Sequence, residues 1–345
     1  MSPDLNEVEN NENFVKNYYQ GIFVTETILG NPNGDFVDNS PRNFDSEVFT
    51  TDKCIKYNIR NYLHDTVEDL ENKKNIVFFY PRRDENTALE ENKFLTVNTI
   101  KNQLFNDNSL EKLRENYIDV RMFGGTFAIG STNKNIYGPI QLTYGIDINQ
   151  AQIKPLNIGA PFATSDNQQK TYGSEYVVDD AIISYDITVN PKTYTDENNN
   201  PYLLLEDDLN LFKSAIWYGT NYRKSTSKRT NSKLLILIKF KVNEDDTILN
   251  MGELNNLISI EGKRKTPKDK CFTLDMDLFC KKLCKYEQFI ELIDIYYEKE
   301  ELELNFNDAF KTKFNGRINE HDPISLVTKE DNSEELNDDV EEWNS

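Results

Sequence analysis

The stretch that decides the fold is QGIFVTETI, Gln20 to Ile28, together with the loop GNPNGD, Gly30 to Asp35, that follows it. Ile22 and Val24 alternate with Phe23, so apolar side chains occur on both faces of a predicted β-strand. This pattern is typical of a strand in a sheet that is covered, at least in part, on both sides. The residue types of the loop tolerate unusual dihedral angles, and such a loop can bring backbone N–H groups close to a phosphate.

A basic helix is predicted to follow this loop, with Thr51 as its N-cap and an acid, Asp52, in its first turn. Five residues recur at helical spacing on one stripe: Ile55, Ile59, Tyr62, Leu63 and Thr66. Three bases cluster roughly 100° around the helix from that stripe: Lys53, Lys56 and Arg60. We expect these bases to line the rim where the helix meets the sheet, and a solvated helix face is the alternative interpretation.

The negative charge of the chain is concentrated at its two ends. The formal net charge is -20, yet residues 1–12 hold four acids and no base, and residues 329–345 hold eight acids and one base. By contrast, residues 209–243 contain no acid and eight bases. Because a polyanion responds to the potential within a Debye length of roughly 8 Å, a basic segment can bind one even in an acidic protein.

The 345 residues include 12% aromatic residues, enough for a packed interior. We predict one elaborated domain over residues 15–327, with a mobile acidic leader at 1–14 and a disordered acidic tail at 328–345.

The four cysteines, Cys54, Cys271, Cys280 and Cys284, show no CxxC spacing. Cys280 and Cys284 would share a helix face, but without a nearby histidine they indicate core packing rather than a zinc site. With no secretory segment and no apolar run of about 18 residues, the chain is expected to be cytoplasmic, with reduced thiols and no membrane partner. We predict neither a metal nor a cofactor.

Two further strands are predicted in the middle of the chain by strict alternation. The first places these residues on one face: Ile140, Leu142, Tyr144, Ile146 and Ile148. The second begins at Ala181 and places these on one face: Ile183, Tyr185, Ile187 and Val189. Between them, residues 150–175 form a long loop with its own apolar residues, which is typical of a functional arm.

A second helix, Glu206 to Tyr218 with Gly219 as its stop, and a last strand, Leu234 to Val242, complete the order. The order of these elements is therefore strand, helix, strand, strand, helix, strand. This order predicts an α+β fold, a ferredoxin-like (RRM-like) βαββαβ palm. Residues 75–135, including a short strand Ile76 to Tyr80, are expected to be an insertion. The residues after 243 form a C-terminal extension.

Five motifs in this order resemble the CRISPR-associated RAMP superfamily, specifically the Cas family seven backbone subunit of type I-B Cascade. They span most of Tyr19 to Val242. The motifs are Gly30 to Asp35, the helix Thr51 to Leu63, Asp119 to Gly124, Gly138 to Gln141, and Ala215 to Thr220.

The resemblance implies a ferredoxin-like palm, a web or finger at 75–135 and a thumb at 150–175. It also implies copies of the chain that stack along a CRISPR RNA, with other Cascade subunits as partners, and present the guide for pairing with target DNA in the cytoplasm of a bacterium or archaeon. The residues that it places at RNA are Gly30, Asn31, Asn33, Arg42, Lys53, Lys56, Arg60, Arg121, Gly124, Arg223 and Lys228. Ile158 and Phe162 would be the thumb residues that displace bases.

Each of these roles has a structural alternative. The alternative for the glycine loop is a tight turn with no ligand, and the alternative for Arg121 is an ion pair with an internal acid. The basic run Arg223 to Lys233 is either a solvated hairpin or a contact to RNA or a neighbouring subunit. Ile158 and Phe162 either pack the arm on its own body or act as wedges between bases.

We do not expect an enzyme. Asp35, Asp38 and Asp45 raise the alternative of a RAMP endoribonuclease, but no partner base or metal cluster accompanies them. His64 and His321 lie far apart in sequence, and no GxxxxGK[ST] loop is present. A generic RNA-binding adaptor is the other alternative, and it would not form filaments.

Overall fold

The computed structural model describes residues 13–72, 74–83, 94–95, 114, 116–129, 132–159, 172–193, 204–242, 249–262 and 271–328. The expected leader and tail lie outside these residues, apart from residues 13–14 and 328. The described part is a mixed α/β structure, and none of its helices is long and apolar enough to cross a membrane.

The elements are numbered in chain order. The strands are β1 (Tyr19–Gly30), β2 (Asn43–Phe44), β3 (Glu47–Thr50), β4 (Gly124–Ile129), β5 (Thr132–Tyr137), β6 (Ile140–Leu142), β7 (Gly145–Asp147), β8 (Ile153–Gly159), β9 (Tyr172–Val189), β10 (Thr230–Phe240), β11 (Ser259–Ile260), β12 (Phe272–Asp275), β13 (Ile290–Tyr296), β14 (Leu302–Asn305) and β15 (Ile318–His321). The helices are α1 (Asp52–Thr66), α2 (Ile118–Phe123), α3 (Glu206–Tyr222), α4 (Asp277–Lys285) and α5 (Asp308–Lys313).

The main sheet has the strand order β15-β13-β10-β1-β9-β7-β3-β2, with β6 and β8 also paired to β9. β1 is antiparallel to both of its neighbours, β9 and β10. The strand predicted at Gln20 to Ile28 is therefore confirmed, and it lies in the interior of the sheet. β13 and β15, from the C-terminal extension, widen this sheet beyond β10.

The two faces of β1 enter two different cores, as its sequence predicts. Phe23 packs in a core with the apolar stripes of α1 and α3, including Ile59 and Phe212. Ile22 and Val24 pack in a second core on the other face. That core is closed by the C-terminal elements, among them α4, α5 and β13. The cysteines predicted to pack in the core, Cys280 and Cys284, lie on α4 and belong to it.

Helix α3 runs through Gly219 to Tyr222, so the predicted stop at Gly219 is wrong. The glycine serves the contact between α1 and α3 instead. A Cβ there would lie 2.7 Å from the carbonyl oxygen of Asn58 and 3.1 Å from the Cβ of Tyr62. Glycine therefore allows close approach of two helix backbones, which the local pattern does not reveal.

Two strand predictions need correction. Ile76 to Tyr80 is not a strand, because only Ile76 forms an isolated bridge, to Tyr117. The alternation from Ile140 to Ile148 is divided into β6 and β7, and Tyr144 and Ile146 are exposed at the outer part of the sheet. The alternation at Tyr144 and Ile146 therefore does not mark core positions.

The predicted arm is a β-ribbon and not a loop over residues 153–159 and 172–178. There, β8 pairs with the first part of β9, whose later residues pair with β1. Nearly all of β8 is exposed, so the ribbon projects from the sheet. Residues 160–171 lie outside the described part.

Asp186 joins β9 to the C-terminal elements. Its Oδ1 accepts hydrogen bonds from the backbone N–H groups of Leu254 and Asn255, at 2.8 and 3.0 Å. Burial raises the pKa of Asp186 from its usual 3.8 to about 6, although these two hydrogen bonds oppose the shift. The buried environment therefore disfavours the ionised form of the Asp186 carboxylate.

The first prediction concerns Gly219. Alanine gains about 1 kcal/mol over glycine in helix propensity, but its methyl group would overlap the Asn58 carbonyl. We expect Gly219→Ala to lower the free energy of unfolding by about 1–3 kcal/mol, measured by urea denaturation. Asn210→Ala, at an exposed position on the same helix, is the control and should have little effect. A more stable Gly219→Ala protein would contradict the close contact.

The second prediction concerns pH. Because folded Asp186 takes up its proton at a higher pH than the unfolded chain does, its contribution to the free energy of unfolding falls as pH rises from about 4 to about 6. The amide oxygen of Asp186→Asn can still accept both hydrogen bonds but carries no charge. We expect the variant to gain stability relative to the wild type over that window, measured by thermal melts at each pH. A constant difference between the two proteins would refute the assignment.

Candidate nucleic-acid interface

Two loops are joined at the end of β1. The backbone N–H of Asn31 donates to the carbonyl of Ser227 at 2.7 Å, and Nζ of Lys228 donates to the carbonyl of Asn31 at 2.9 Å. A Cβ on Gly30 would lie 2.7 Å from the Ser227 carbonyl, so this approach requires glycine. The glycine loop and the basic run, nearly 200 residues apart, thus form one surface.

The start of α1 is fixed to the same loop. Oδ1 of Asn33 accepts hydrogen bonds from the backbone N–H and the hydroxyl of Thr51, at 3.0 and 3.1 Å. Thr51 is the N-cap residue as predicted, but its hydroxyl donates to Asn33 instead of capping the helix. The thiol of Cys54 donates to the carbonyl of Pro32 at 3.4 Å. Asn33 therefore has a structural role that holds the helix against the loop.

We call residues 30–42, 51–58 and 223–229 together the two-loop face. Besides Lys56, which is buried and paired with Asp52, it holds six cations: Arg42, Lys53, Arg223, Lys224, Lys228 and Arg229. Arg42 pairs with Asp35 at 3.0 Å. The other five have no carboxylate within 4 Å in the described part of the chain. The face is therefore a local excess of positive charge in an acidic protein.

Three of these cations surround the Cys54 thiol. Arg223, Lys228 and Arg42 each favour its thiolate, but burial outweighs them and raises the pKa of Cys54. Two atoms nearby, Oδ1 of Asn31 and Nε of Arg42, are buried and have no hydrogen-bond partner among the described residues. Such atoms are places where a polar ligand or water would complete the hydrogen bonding.

Arg223 bridges α1 and the second loop. Its guanidinium donates to Oδ1 of Asn58 at 3.2 Å and lies 4.6 Å from the centre of the Tyr57 ring. Tyr57 is 39% exposed. A half-exposed ring beside a cation is the arrangement on which a nucleic-acid base stacks.

The three bases predicted to act together on α1 are separated by the structure. Lys53 is exposed. Lys56 is largely buried, pairs with Asp52 at 3.1 Å and lies over the Phe123 ring; burial lowers its pKa. Nε of Arg60 contacts Oδ2 of Asp119 at 2.8 Å. Of these three bases on α1, only Lys53 is exposed to solvent on the two-loop face.

Asp119 is fully buried, and besides Arg60 it accepts the backbone N–H groups of Phe78 and Phe79, at 2.7 and 3.0 Å. Arg121 is likewise engaged, since it forms a bidentate pair with Asp208 at 2.7 and 2.8 Å. This is the internal partner that the sequence offered as the alternative for Arg121. The two ion pairs therefore connect the insertion at residues 75–135 to the helices α1 and α3.

Gly124 ends α2 with φ of +69°, and a Cβ there would lie 2.0 Å from the carbonyl oxygen of Ile136. Its role in the described structure is to turn the chain into the hairpin of β4 and β5. Ile158 is 48% exposed on the projecting ribbon. Phe162, the other predicted thumb residue, lies outside the described residues.

Sequence reasoning did not single out Tyr57, Lys224 or Arg229. The acid-free run 209–243 pointed to the loop that carries the two cations, but nothing local placed it against the glycine loop. Tyr57 stands one turn after Lys53, and this spacing on a helix that also carries bases was the available sign.

Among the acids considered for catalysis, Asp35 is held by Arg42 and accepts the backbone N–H of Val37 at 2.9 Å. The imidazole of His64 contacts Glu68 and stacks on Tyr80. Within the described residues, no three His, Cys, Asp or Glu side chains are grouped to hold a metal ion.

The third prediction separates the two kinds of base on α1. Arg60→Met leaves the buried Asp119 carboxylate without its cation, so we expect a loss of about 3 kcal/mol in the free energy of unfolding. Lys53→Met, on the same helix, should change it by less than about 0.5 kcal/mol. Both are measured by urea denaturation without RNA. Equal stability of the two variants would show that Arg60 is not held internally.

A family model agrees with the coarser part of the resemblance in the sequence, the family itself. The family model for CRISPR-associated protein Cas7 matches residues 17–278. Among solved structures, a chain of a CRISPR RNA-guided surveillance complex is similar with a TM-score of 0.47 and 11% identity, covering 90% of this chain and 96% of the other. A chain of such a complex in a pre-nicking state gives 0.47 and 10%, covering 90% and 98%.

No curated protein matches the sequence. The family match extends over well more than half of the 345 residues. The chain therefore belongs to the Cas7 family of CRISPR-associated proteins.

Proposed function

We propose that the chain is the CRISPR RNA-binding backbone subunit of a type I-B Cascade surveillance complex. Copies polymerise along the guide RNA and present it for pairing with target DNA. Family membership supports this role, and the single structural observation that carries it is the two-loop face. Five cations gather there without acidic partners in the described part of the chain, although the sequence holds 59 acids and 39 bases.

The face suits an RNA backbone more than a base sequence. Lys53, Lys224 and Arg229 are exposed and can approach phosphates, which are contacted without regard to sequence. Tyr57 with Arg223 offers a flat surface on which any base can stack. A backbone subunit must hold every guide in the same way, because the guide sequence varies between complexes.

We further propose that β1, α1, β6 with β7, β9, α3 and β10 form a ferredoxin-like palm. The observed order β10-β1-β9-β7, with α1 and α3 on one face, supports this assignment. The β8–β9 ribbon is then the thumb, and its exposed Ile158 is a candidate wedge. The hairpin β4–β5 belongs to the web.

The subunit is proposed to be non-catalytic and to work in the cytoplasm. Asp35, the acid on which the endoribonuclease alternative depends, is engaged within its own loop by Arg42 and by Val37. Cutting of a matched target RNA in Mg²⁺ by the purified complex, lost in Asp35→Ala, would favour the alternative.

The fourth prediction tests the face. Lys53→Glu with Arg229→Glu changes two exposed cations that make no ion pair with the described residues. We expect guide RNA affinity at about 100 mM salt to fall at least tenfold and the salt dependence of log K to weaken by about two units. Fluorescence anisotropy over a salt series measures both.

The matched control is Lys285→Glu with Lys311→Glu. It makes the same charge change at exposed positions on α4 and α5, on the other side of the sheet. Unchanged binding by the face variant, or equal losses in both variants, would refute the assigned surface. A wild-type chain that remains a monomer with a repeat-containing guide would refute the backbone role.

A further inference from the structure

The last helical turn of the described chain, Pro323–Leu326, contacts α3, the helix that leads into the basic loop. In this contact the Tyr218 hydroxyl donates to the carbonyl of Pro323 at 3.0 Å. Tyr218 lies five residues before Arg223, which corresponds to roughly 8 Å along a helix axis. Pro323 is therefore held near the end of α3 that leads into the basic loop, and Thr328 follows it by five residues.

The other end of the chain leaves from the opposite end of α3. The backbone N–H of Glu206, the first residue of α3, donates to the carbonyl of Asn13 at 2.9 Å. Val15 is bonded in turn to the carbonyl of Leu204 at 2.9 Å. Glu206 and Tyr218 are 12 residues apart on α3, so the two exits are separated by roughly 18 Å. Residues 1–12 therefore join the chain at the end of α3 that is distant from the basic loop, whereas residues 329–345 join it nearer to that loop.

The composition of residues 329–345 complements the face. They contain eight acids, one base and a tryptophan, Trp343. Seventeen residues can span at most about 56 Å when extended, so every cation of the face is within reach. A chain that carries regular negative charge and an aromatic ring offers the same two contacts as single-stranded RNA, namely phosphate-like anions and a stacking surface.

The cations of the face repel one another where no anion is bound. Burial, together with the charges of Lys233 and Arg229, lowers the pKa of Lys224. Burial and the charge of Arg223 lower that of Lys228. An anionic segment placed there would relieve this repulsion.

We propose that residues 329–345 of this chain occupy the two-loop face when no guide is bound, and that the guide RNA displaces them. The tethered tail acts as a competitor at a high effective concentration, in the millimolar range for a short linker. A short or weakly bound RNA displaces it poorly, whereas a guide held by many copies displaces it fully. The meaning of this competition for guide selection rests on the proposed function, but the contact itself does not.

The fifth prediction compares two full-length variants with the same change of net charge. The tail variant combines Asp338→Asn, Asp339→Asn, Glu341→Gln and Glu342→Gln. The leader variant combines Asp4→Asn, Glu7→Gln, Glu9→Gln and Glu12→Gln. Binding of a fluorescent oligouridine of about 12 nucleotides is measured at about 50 mM salt.

We expect the tail variant to bind about fivefold to tenfold tighter than the wild type and the leader variant less than twofold tighter. The difference should vanish at about 0.5 M salt because the contact is ionic. When Lys53→Glu and Arg229→Glu are added, the tail substitutions should no longer matter. Equal gains in the tail and leader variants would overturn the proposal, since net charge alone would explain them.

A second measurement uses no RNA. Carbodiimide cross-linking of the free wild-type chain should join tail carboxylates to Lys53, Lys224 or Lys228, as identified by mass spectrometry, and bound guide should abolish these links. Absence of the links, with oligouridine binding intact, overturns the tail contact alone. Links without any RNA binding would leave the tail contact standing and contradict the proposed function.

Discussion

The structure depends on the pairing of one strand along both of its edges. β1 is hydrogen-bonded to β9 over Tyr19 to Gly30 and to β10 over Tyr19 to Thr27. At Gly21 a Cβ would lie only 2.2 Å from the carbonyl oxygen of Ile236. Because both edges are paired and both faces are buried, the end of β1 is a fixed point. The loop from Gly30 is held in place by that constraint, and α1 and the second loop are positioned against it.

The central part of this arrangement could be predicted because its causes are local. Alternation gave β1 and the later part of β9, and helical spacing gave α1 and α3. The properties missed were those that depend on neighbours distant in the sequence. Gly219 was interpreted as a helix stop because the close approach of Asn58 has no local mark. Tyr144 and Ile146 alternate like core residues, although their place in the sheet exposes them.

In the candidate site, too, the features that depend on residues distant in the sequence were missed. Arg60 and Arg121 look like RNA-binding bases in the sequence, but their partners Asp119 and Asp208 lie 59 and 87 residues away. An isolated buried carboxylate is so unfavourable that each of these acids requires a cation, and this pairing removes two arginines from the surface. Sequence reasoning identified residues 223–233 as a basic loop, of which 223–229 form the loop between α3 and β10 and the rest belong to β10. Only the contact between Asn31 and Ser227 shows which surface this loop completes.

The length of β9 has a mechanical consequence. Its 18 residues continue without interruption from the ribbon into the pairing with β1, so Val178 is bonded to β8 on one side and to the end of β1 on the other. A ribbon joined through a flexible linker would move freely. This ribbon is instead continuous with β9, which is paired with the end of β1 beside the glycine loop. Force applied to the exposed ribbon is therefore transmitted to that loop through backbone hydrogen bonds.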